Sequence, residues 1–173
     1  MHHGVTLRVN GVDHRVVIET HHTLLEVLRR ELGLLGTREA CGIGVCGSCT
    51  VLIDGRPMSS CLALAALAEG REVLTVEGLA EDGKLHPIQQ AFIDATAFQC
   101  SYCTPGFILS AKALLDENPS PAPSDISAYL AGNLCRCGSY RKIEEAVQLA
   151  ALRLAGDVRE PEAKANKDRT TPY

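Results

Sequence analysis

Tryptophan is absent from this 173-residue chain, and aromatic residues make up only 4% of it. Large rings supply much of the area that a core of this size buries, so part of the cohesion is expected from metal sites or from a partner surface. No apolar run approaches the roughly 20 residues that cross a bilayer, and the alanine-rich Leu62 to Leu67 stretch reads as a packed turn or short helix. The formal net charge is -4 and is spread evenly over the two halves, which gives no basic face for nucleic acid. Met1 to Val5 carries no apolar h-region, no twin arginine and no cleavage-site pattern, so a reducing cytoplasm is the expected compartment.

Cysteine, by contrast, is plentiful, and all eight fall into two groups of four. The first reads Cys41-Gly-Ile-Gly-Val-Cys46-Gly-Ser-Cys49, with Cys61 on the next segment. This C-x4-C-x2-C…C pattern is the plant-type ligand spacing of a [2Fe-2S] cluster. Gly42, Gly44 and Gly47 keep side chains off a loop that must bend around inorganic sulfides, and positive φ lets backbone N–H groups turn toward sulfur. Structural zinc prefers two C-x2-C knuckles, which the Cys41 to Cys46 step fits poorly. An even cysteine count also suits a disulfide scaffold, but nothing at the N-terminus supports export. Cys49 and Cys103 are followed by threonine, not the histidine of a haem attachment motif. Five of the six histidines lie at positions 2 to 22, and His86, before Pro87, reads as a helix-entry residue rather than a Rieske ligand.

The second quartet is Cys100, Cys103, Cys135 and Cys137. Cys100-Ser-Tyr-Cys103 precedes a helix opening at Thr104-Pro105-Gly106, where the dipole would lower a thiol pKa as in a redox dithiol. A thioredoxin-type motif follows a strand, however, and Pro87 to Phe98 reads as helix. Cys135-Arg-Cys137 puts two thiols on one tight turn, which suits chelation. A second metal cluster fits these features better, with a dithiol or zinc site left open by spacing alone.

The organisation changes once along the chain. Val5, Leu7 and Val9 alternate before Asn10-Gly11, and Val16 to Ile18 follow it, which predicts a hairpin with a type I′ turn. Thr23 and Glu26 form a capping box ahead of Leu24, Leu25, Leu28 and Leu32. Thr50–Ile53 and Pro57–Ser60 flank Asp54-Gly55 as a second hairpin, and Val73–Val76 supplies a last strand. These elements predict an α+β sheet domain over residues 1–80 resembling a β-grasp. From residue 84 the pattern turns helical, with segments at Ile88–Phe98, Phe107–Leu115, Ile126–Leu130 and Ile143–Leu154. Prolines punctuate them at helix starts and ends. They predict a four-helix bundle over 81–155, with the second quartet on the connections after its first and third helices. Residues 156–173 mix charges with little apolar content and read as a tail, disordered or laid along a partner.

Three motifs in order carry a family resemblance over about residues 4 to 155: the Cys41–Cys49 loop, Gln99-Cys100-Ser-Tyr-Cys103-Thr-Pro-Gly-Phe107, and Asn133-Leu-Cys135-Arg-Cys137-Gly138 with Tyr140. Together they resemble the small iron-sulfur subunit of the molybdenum hydroxylases, the xanthine dehydrogenase, aldehyde oxidoreductase and carbon monoxide dehydrogenase family. The resemblance implies a plant-type ferredoxin-like domain with one [2Fe-2S] cluster and a helical domain with another. It further implies a large partner subunit holding a molybdopterin cofactor, with Gln99 hydrogen-bonded to the pterin and Cys137 close to it. FAD is expected on a separate medium subunit. The expected function is electron relay from the molybdenum site to a flavin or other acceptor, with substrate chemistry elsewhere. The alternative is a free-standing two-cluster ferredoxin-type carrier. One departure from the family pattern is Ser101-Tyr102 between the cysteines, where aromatic or glycine residues are common.

Overall fold

The structure, a computed structural model, describes residues 2–156. Strands β1 (His2–Val9) and β2 (Val12–Glu19) form an antiparallel hairpin. Its turn has Asn10 at φ 52° and Gly11 at φ 76°, the two positive angles that a type I′ turn requires. Helix α1 (Leu24–Arg30) starts at the expected capping box: the Thr23 hydroxyl accepts the Glu26 N–H, and the Glu26 carboxylate accepts the Thr23 N–H. Strands β3 (Thr50–Ile53) and β4 (Arg56–Ser59) turn over Asp54-Gly55, and β5 (Glu72–Leu74) lies between β1 and β3. The sheet order is β2-β1-β5-β3-β4, with β5 parallel to β1 and every other pairing antiparallel.

Strand β5 is shorter than the expected Val73–Val76. The Asn10 side chain accepts the Thr75 N–H at 2.8 Å, and Val76–Leu79 then winds into a 3-10 turn. The Leu62 to Leu67 region likewise holds a 3-10 turn, at Ala65–Ala68.

Helix α1 buries Leu24, Val27 and Leu28 against Val5, Leu7, Ile18, Val51 and Ile53 on one face of the sheet. Leu52 points to the opposite face and joins a second apolar cluster built from the helices. All four residues of β3 are therefore buried, as alternation requires of a strand covered on both sides.

The second cluster gathers α2 (Pro87–Asp94), α3 (Thr104–Glu117), α4 (Pro123–Tyr129) and α5 (Tyr140–Leu154). Helix α3 is central: residues from Gly106 to Leu115 are buried nearly all round, the mark of a helix packed on several sides. Phe92 and Phe107 are wholly buried, worth about 1.5–3 kcal/mol each by area. Helix α2 stops before Phe98 because Thr96 takes φ 50°. Helix α3 begins before Phe107 because Pro105 sits in its first turn, where its missing N–H costs nothing. His86 caps α2, its Nδ1 accepting the Ile88 N–H at 3.2 Å. Burial, then Lys112, holds this imidazole below the usual histidine pKa, which keeps Nδ1 free to accept.

The mixed sheet and five helices place both cysteine groups on irregular connections: α1 to β3 and just past β4 for the first, α2 to α3 and α4 to α5 for the second. Among the described residues no helix is long and apolar enough to cross a membrane. Beyond Gly156, the expected tail lies outside the described residues.

Candidate metal centres

In the first loop, Gly42, Gly44 and Gly47 take φ of 66°, 77° and 67°. The chain winds so that the Ile43 N–H points at Cys41 Sγ, 3.5 Å away. That N–H first, and the Cys46 thiol second, push the Cys41 pKa down to about 6. Cys49 and Cys61 lie deeper, packed with Leu25 under the loop. Ser60 fixes their separation, its hydroxyl donating to the Cys49 carbonyl at 2.7 Å. Burial, then the Cys49 thiol, pushes Cys61 up to about 11.

The second quartet is assembled from two connections. Cys100 Sγ and Cys137 Sγ stand 3.6 Å apart. The Tyr102 N–H and then the Cys137 thiol lower the Cys100 pKa. Cys103 caps α3 and meets Cys135; burial first, then Cys135, pushes Cys103 up to about 12. Burial opposes ionisation of Cys135 as well, but the Ser139 N–H, 3.4 Å from its sulfur, and other donors outweigh it and lower the pKa. The Tyr140 hydroxyl accepts the Cys135 N–H at 3.0 Å. Gln99 is exposed and donates through Nε2 to the Cys137 carbonyl at 2.9 Å, linking the two connections.

The thiol contacts thus run within each quartet and in pairs: Cys41 with Cys46, Cys49 with Cys61, Cys100 with Cys137, Cys103 with Cys135. Among the described residues no three His, Cys, Asp or Glu side chains gather as a single ion would need. Two thiols per iron is what a two-iron centre with four cysteine ligands requires. All eight thiols are free, and a cavity of about 390 Å³ is lined by Cys46, Cys100, Cys103 and Cys135 together with Tyr102 and Leu134. Paired soft donors, inward N–H groups and a cavity between them fit an iron-sulfur cluster better than a zinc ion.

Several residues to which the motif spacing assigns no role join the quartets to each other. The Leu134 N–H donates to the Cys46 carbonyl at 2.9 Å. Buried Asn133 donates through Nδ2 to the Gly47 carbonyl at 3.0 Å. The Tyr102 hydroxyl donates to the Glu39 carbonyl, and the Arg38 guanidinium lies over the Tyr102 ring, 5.8 Å from its centroid. Asn133 and Leu134 stand inside the third motif, but nothing in the spacing says which carbonyl they meet.

Comparison with known proteins bears on the whole chain. A 2Fe-2S iron-sulfur cluster binding domain family matches residues 7–76, and a [2Fe-2S] binding domain family matches residues 75–148. The nicotinate dehydrogenase small FeS subunit of Eubacterium barkeri is 47% identical over 151 residues, covering 87% of this chain and 96% of that one. The chain belongs to the small iron-sulfur subunits of the molybdenum hydroxylases. Among other members of this family, the aldehyde oxidoreductase iron-sulfur-binding subunit of Escherichia coli is 42% identical over 85% of this chain and 71% of its own length. The crystal structure of quinoline 2-oxidoreductase from Pseudomonas putida 86 superposes with a TM-score of 0.85 at 41% identity, over 91% of this small subunit and 99% of that chain. The aldehyde oxidoreductase of Desulfovibrio desulfuricans reaches the same TM-score at 42% identity, and there the small subunit matches 17% of a much longer chain.

Proposed function

We propose that this small subunit relays electrons in a molybdenum hydroxylase complex, taking them in at the Cys100–Cys137 end and giving them up at the Cys41–Cys61 end. Two units carry the work. Residues 1–80 form a β-grasp, plant-type ferredoxin-like domain whose Cys41, Cys46, Cys49 and Cys61 hold one [2Fe-2S] cluster. Residues 81–155 form a four-helix domain whose Cys100, Cys103, Cys135 and Cys137 hold the other. The observation that carries this reading is the pairing of thiols strictly within each quartet.

When bound, each cluster supplies a one-electron carrier whose potential responds to net charge, burial and hydrogen bonds to sulfur. The residues of this chain provide those influences unequally. Cys41 receives the Ile43 N–H and Cys135 the Ser139 N–H, both of which favour the more negative, reduced state. Cys49 and Cys61 are buried, which disfavours added charge.

Gln99 and Cys137 mark the entry end. After donating to the Cys137 carbonyl, the Gln99 amide keeps an oxygen acceptor and a second N–H, the pair that a pterin edge on a large molybdopterin-binding subunit would meet. Leu134 and Tyr140 are half-exposed beside this quartet. At the exit end, Ile43, Val45 and Leu62 are each about 60% exposed around the Cys41 loop, an apolar rim suited to a medium FAD-binding subunit. Eight cysteines engaged as metal ligands and none in a disulfide suit a reducing compartment such as the cytoplasm.

Iron and acid-labile sulfide per chain, with low-temperature EPR of the dithionite-reduced protein, test the reading. About four iron atoms and two distinguishable signals are expected from four cysteines per two-iron cluster, together with co-purification of a molybdopterin-containing large chain. Half that iron with one signal removes the second cluster and with it the relay.

A further inference from the structure

The Gly47 carbonyl lies between Cys46 and Cys49, and residues of the other quartet's scaffold enclose it. On one side buried Asn133 donates to it through Nδ2 at 3.0 Å. On another, Gly106 in the first turn of α3 comes so close that a Cβ there would stand 2.1 Å from the oxygen. Thr50 closes the remaining approach, donating to the same oxygen through its N–H at 3.2 Å and its hydroxyl at 2.7 Å. Gly47 itself has no room: a Cβ would fall 2.4 Å from Asn133 Nδ2 and 2.7 Å from the Gly132 carbonyl. One residue away, the Leu134 N–H takes the Cys46 carbonyl.

We infer that Asn133, with Gly106 beside it, is the positioning residue of the Cys41 quartet. Its amide pins the peptide between Cys46 and Cys49, so the first site keeps its cluster only while the helical half grips Gly47. Asn133 does not touch a cysteine thiol; it acts through a backbone carbonyl that sets where two of the four sulfurs point. The contact is held because Asn133 is itself buried: if the Gly47 oxygen moved away, an amide N–H that can no longer reach water would lose its acceptor and carry the desolvation penalty. The inference rests on the proposed two-cluster reading.

Two variants disturb the carbonyl in different ways. Asn133→Asp replaces the donor by a carboxyl oxygen of nearly the same shape, which meets the Gly47 oxygen acceptor to acceptor. Gly106→Ala keeps the asparagine, improves the intrinsic helix preference of α3 and puts a methyl group against the oxygen, with its Cβ also 3.3 Å from Asn133 Nδ2. Each full-length variant is purified in the complex formed by the unaltered chain, and iron per chain and the two reduced EPR signals are measured, with Cys46→Ser identifying the signal of the first quartet. In both variants the signal of the Cys41 quartet is expected to fall to less than half that of the Cys100 quartet, although all eight cysteines remain. Equal retention of both signals in Gly106→Ala, whatever its melting temperature, overturns the inference. So does a loss confined to the Cys100 quartet in either variant. If the unaltered protein itself lacks two signals, the two-cluster reading fails instead, so the two failures are told apart by the control.

Discussion

The three glycines of the first cysteine loop have the same backbone angle but different neighbours, which turns Gly42→Ala, Gly44→Ala and Gly47→Ala into a graded test. All three positions lie at φ between 66° and 77°. An alanine there costs about 1–2 kcal/mol for the left-handed conformation alone. At Gly42 nothing is added, since a new Cβ would come no nearer than 4.0 Å to Glu39. At Gly44 the Cβ would stand 2.3 Å from Leu62 Cδ1, the end of an exposed and movable side chain that can swing aside. At Gly47 the obstacles are a buried amide and the Gly132 backbone, so overpacking adds about 1–3 kcal/mol and the total reaches about 2–5 kcal/mol. For a chain of this length about 1 kcal/mol moves the melting temperature by about 2–4 °C. Differential scanning calorimetry of the iron-loaded chains should therefore rank Gly42→Ala and Gly44→Ala close together and Gly47→Ala well below them. The variant at Gly47 should also lose iron. A Gly42→Ala variant as damaged as Gly47→Ala would refute the argument, because backbone angle alone would then account for the glycines.

Three further outcomes follow from the same geometry. Cys46→Ser should leave the Cys100 quartet reducible by substrate in the complex while blocking onward transfer, whereas Cys103→Ser should stop substrate reduction of both centres; substrate-reduced EPR distinguishes them, and first-quartet reduction in the Cys103 variant would reverse the assigned order. Ser101 holds φ 62° with its side chain exposed, so Ser101→Gly should relieve about 1–2 kcal/mol of strain against about 0.5–1 kcal/mol of added unfolded-state freedom, and a calorimetric melt should rise slightly or stay level, not fall. The pKa of Glu26 is lowered, first by the Thr23 backbone N–H, so the capping box contributes stability that is fully present above the unfolded glutamate value and is lost as pH falls through the folded one. Glu26→Gln should flatten that part of the urea midpoint against pH, and an unchanged profile would mean that the carboxylate is not holding the N–H.

Features whose cause is local were legible in the sequence. Asn10-Gly11 and Asp54-Gly55 specify their turns within two residues, Thr23 and Glu26 close a box within four, and Pro87, Pro105 and Pro123 each fall in the first turn of a helix. Strand β5 stops short of the run that its residues predict because its end is set from afar: the Asn10 side chain, 65 positions away, accepts the Thr75 N–H. The cysteine spacing separated the two quartets but could not say that Cys100 would stand beside Cys137 and Cys103 beside Cys135, since the two connections approach each other only after α3, α4 and α5 have packed. Gly47 shows the same limit from the other direction. A glycine between cysteines reads as clearance for a cluster, and its φ of 67° agrees with the expected freedom. The nearest atoms to its missing side chain nevertheless belong to Asn133 and Gly132, 86 and 85 positions on.

The placement of these contacts explains why large apolar side chains can remain exposed on the cysteine loops. The links between quartets use the Cys46 carbonyl, the Gly47 carbonyl, the Leu134 N–H and one buried amide, each within two positions of a cysteine. Because the backbone fixes the spacing of the loops, the side chains of Ile43, Val45 and Leu134 are not needed for it, and all three point outward at half exposure or more. A single chain gains little from holding them there, since burying such side chains is worth about 1.5–3 kcal/mol each. In the proposed complex that contribution would come from a partner surface laid over these side chains. The same division of labour bears on the scarcity of aromatic residues: hydrogen-bonded loops and cysteine sites maintain the internal geometry, and large apolar side chains beside each quartet stay exposed.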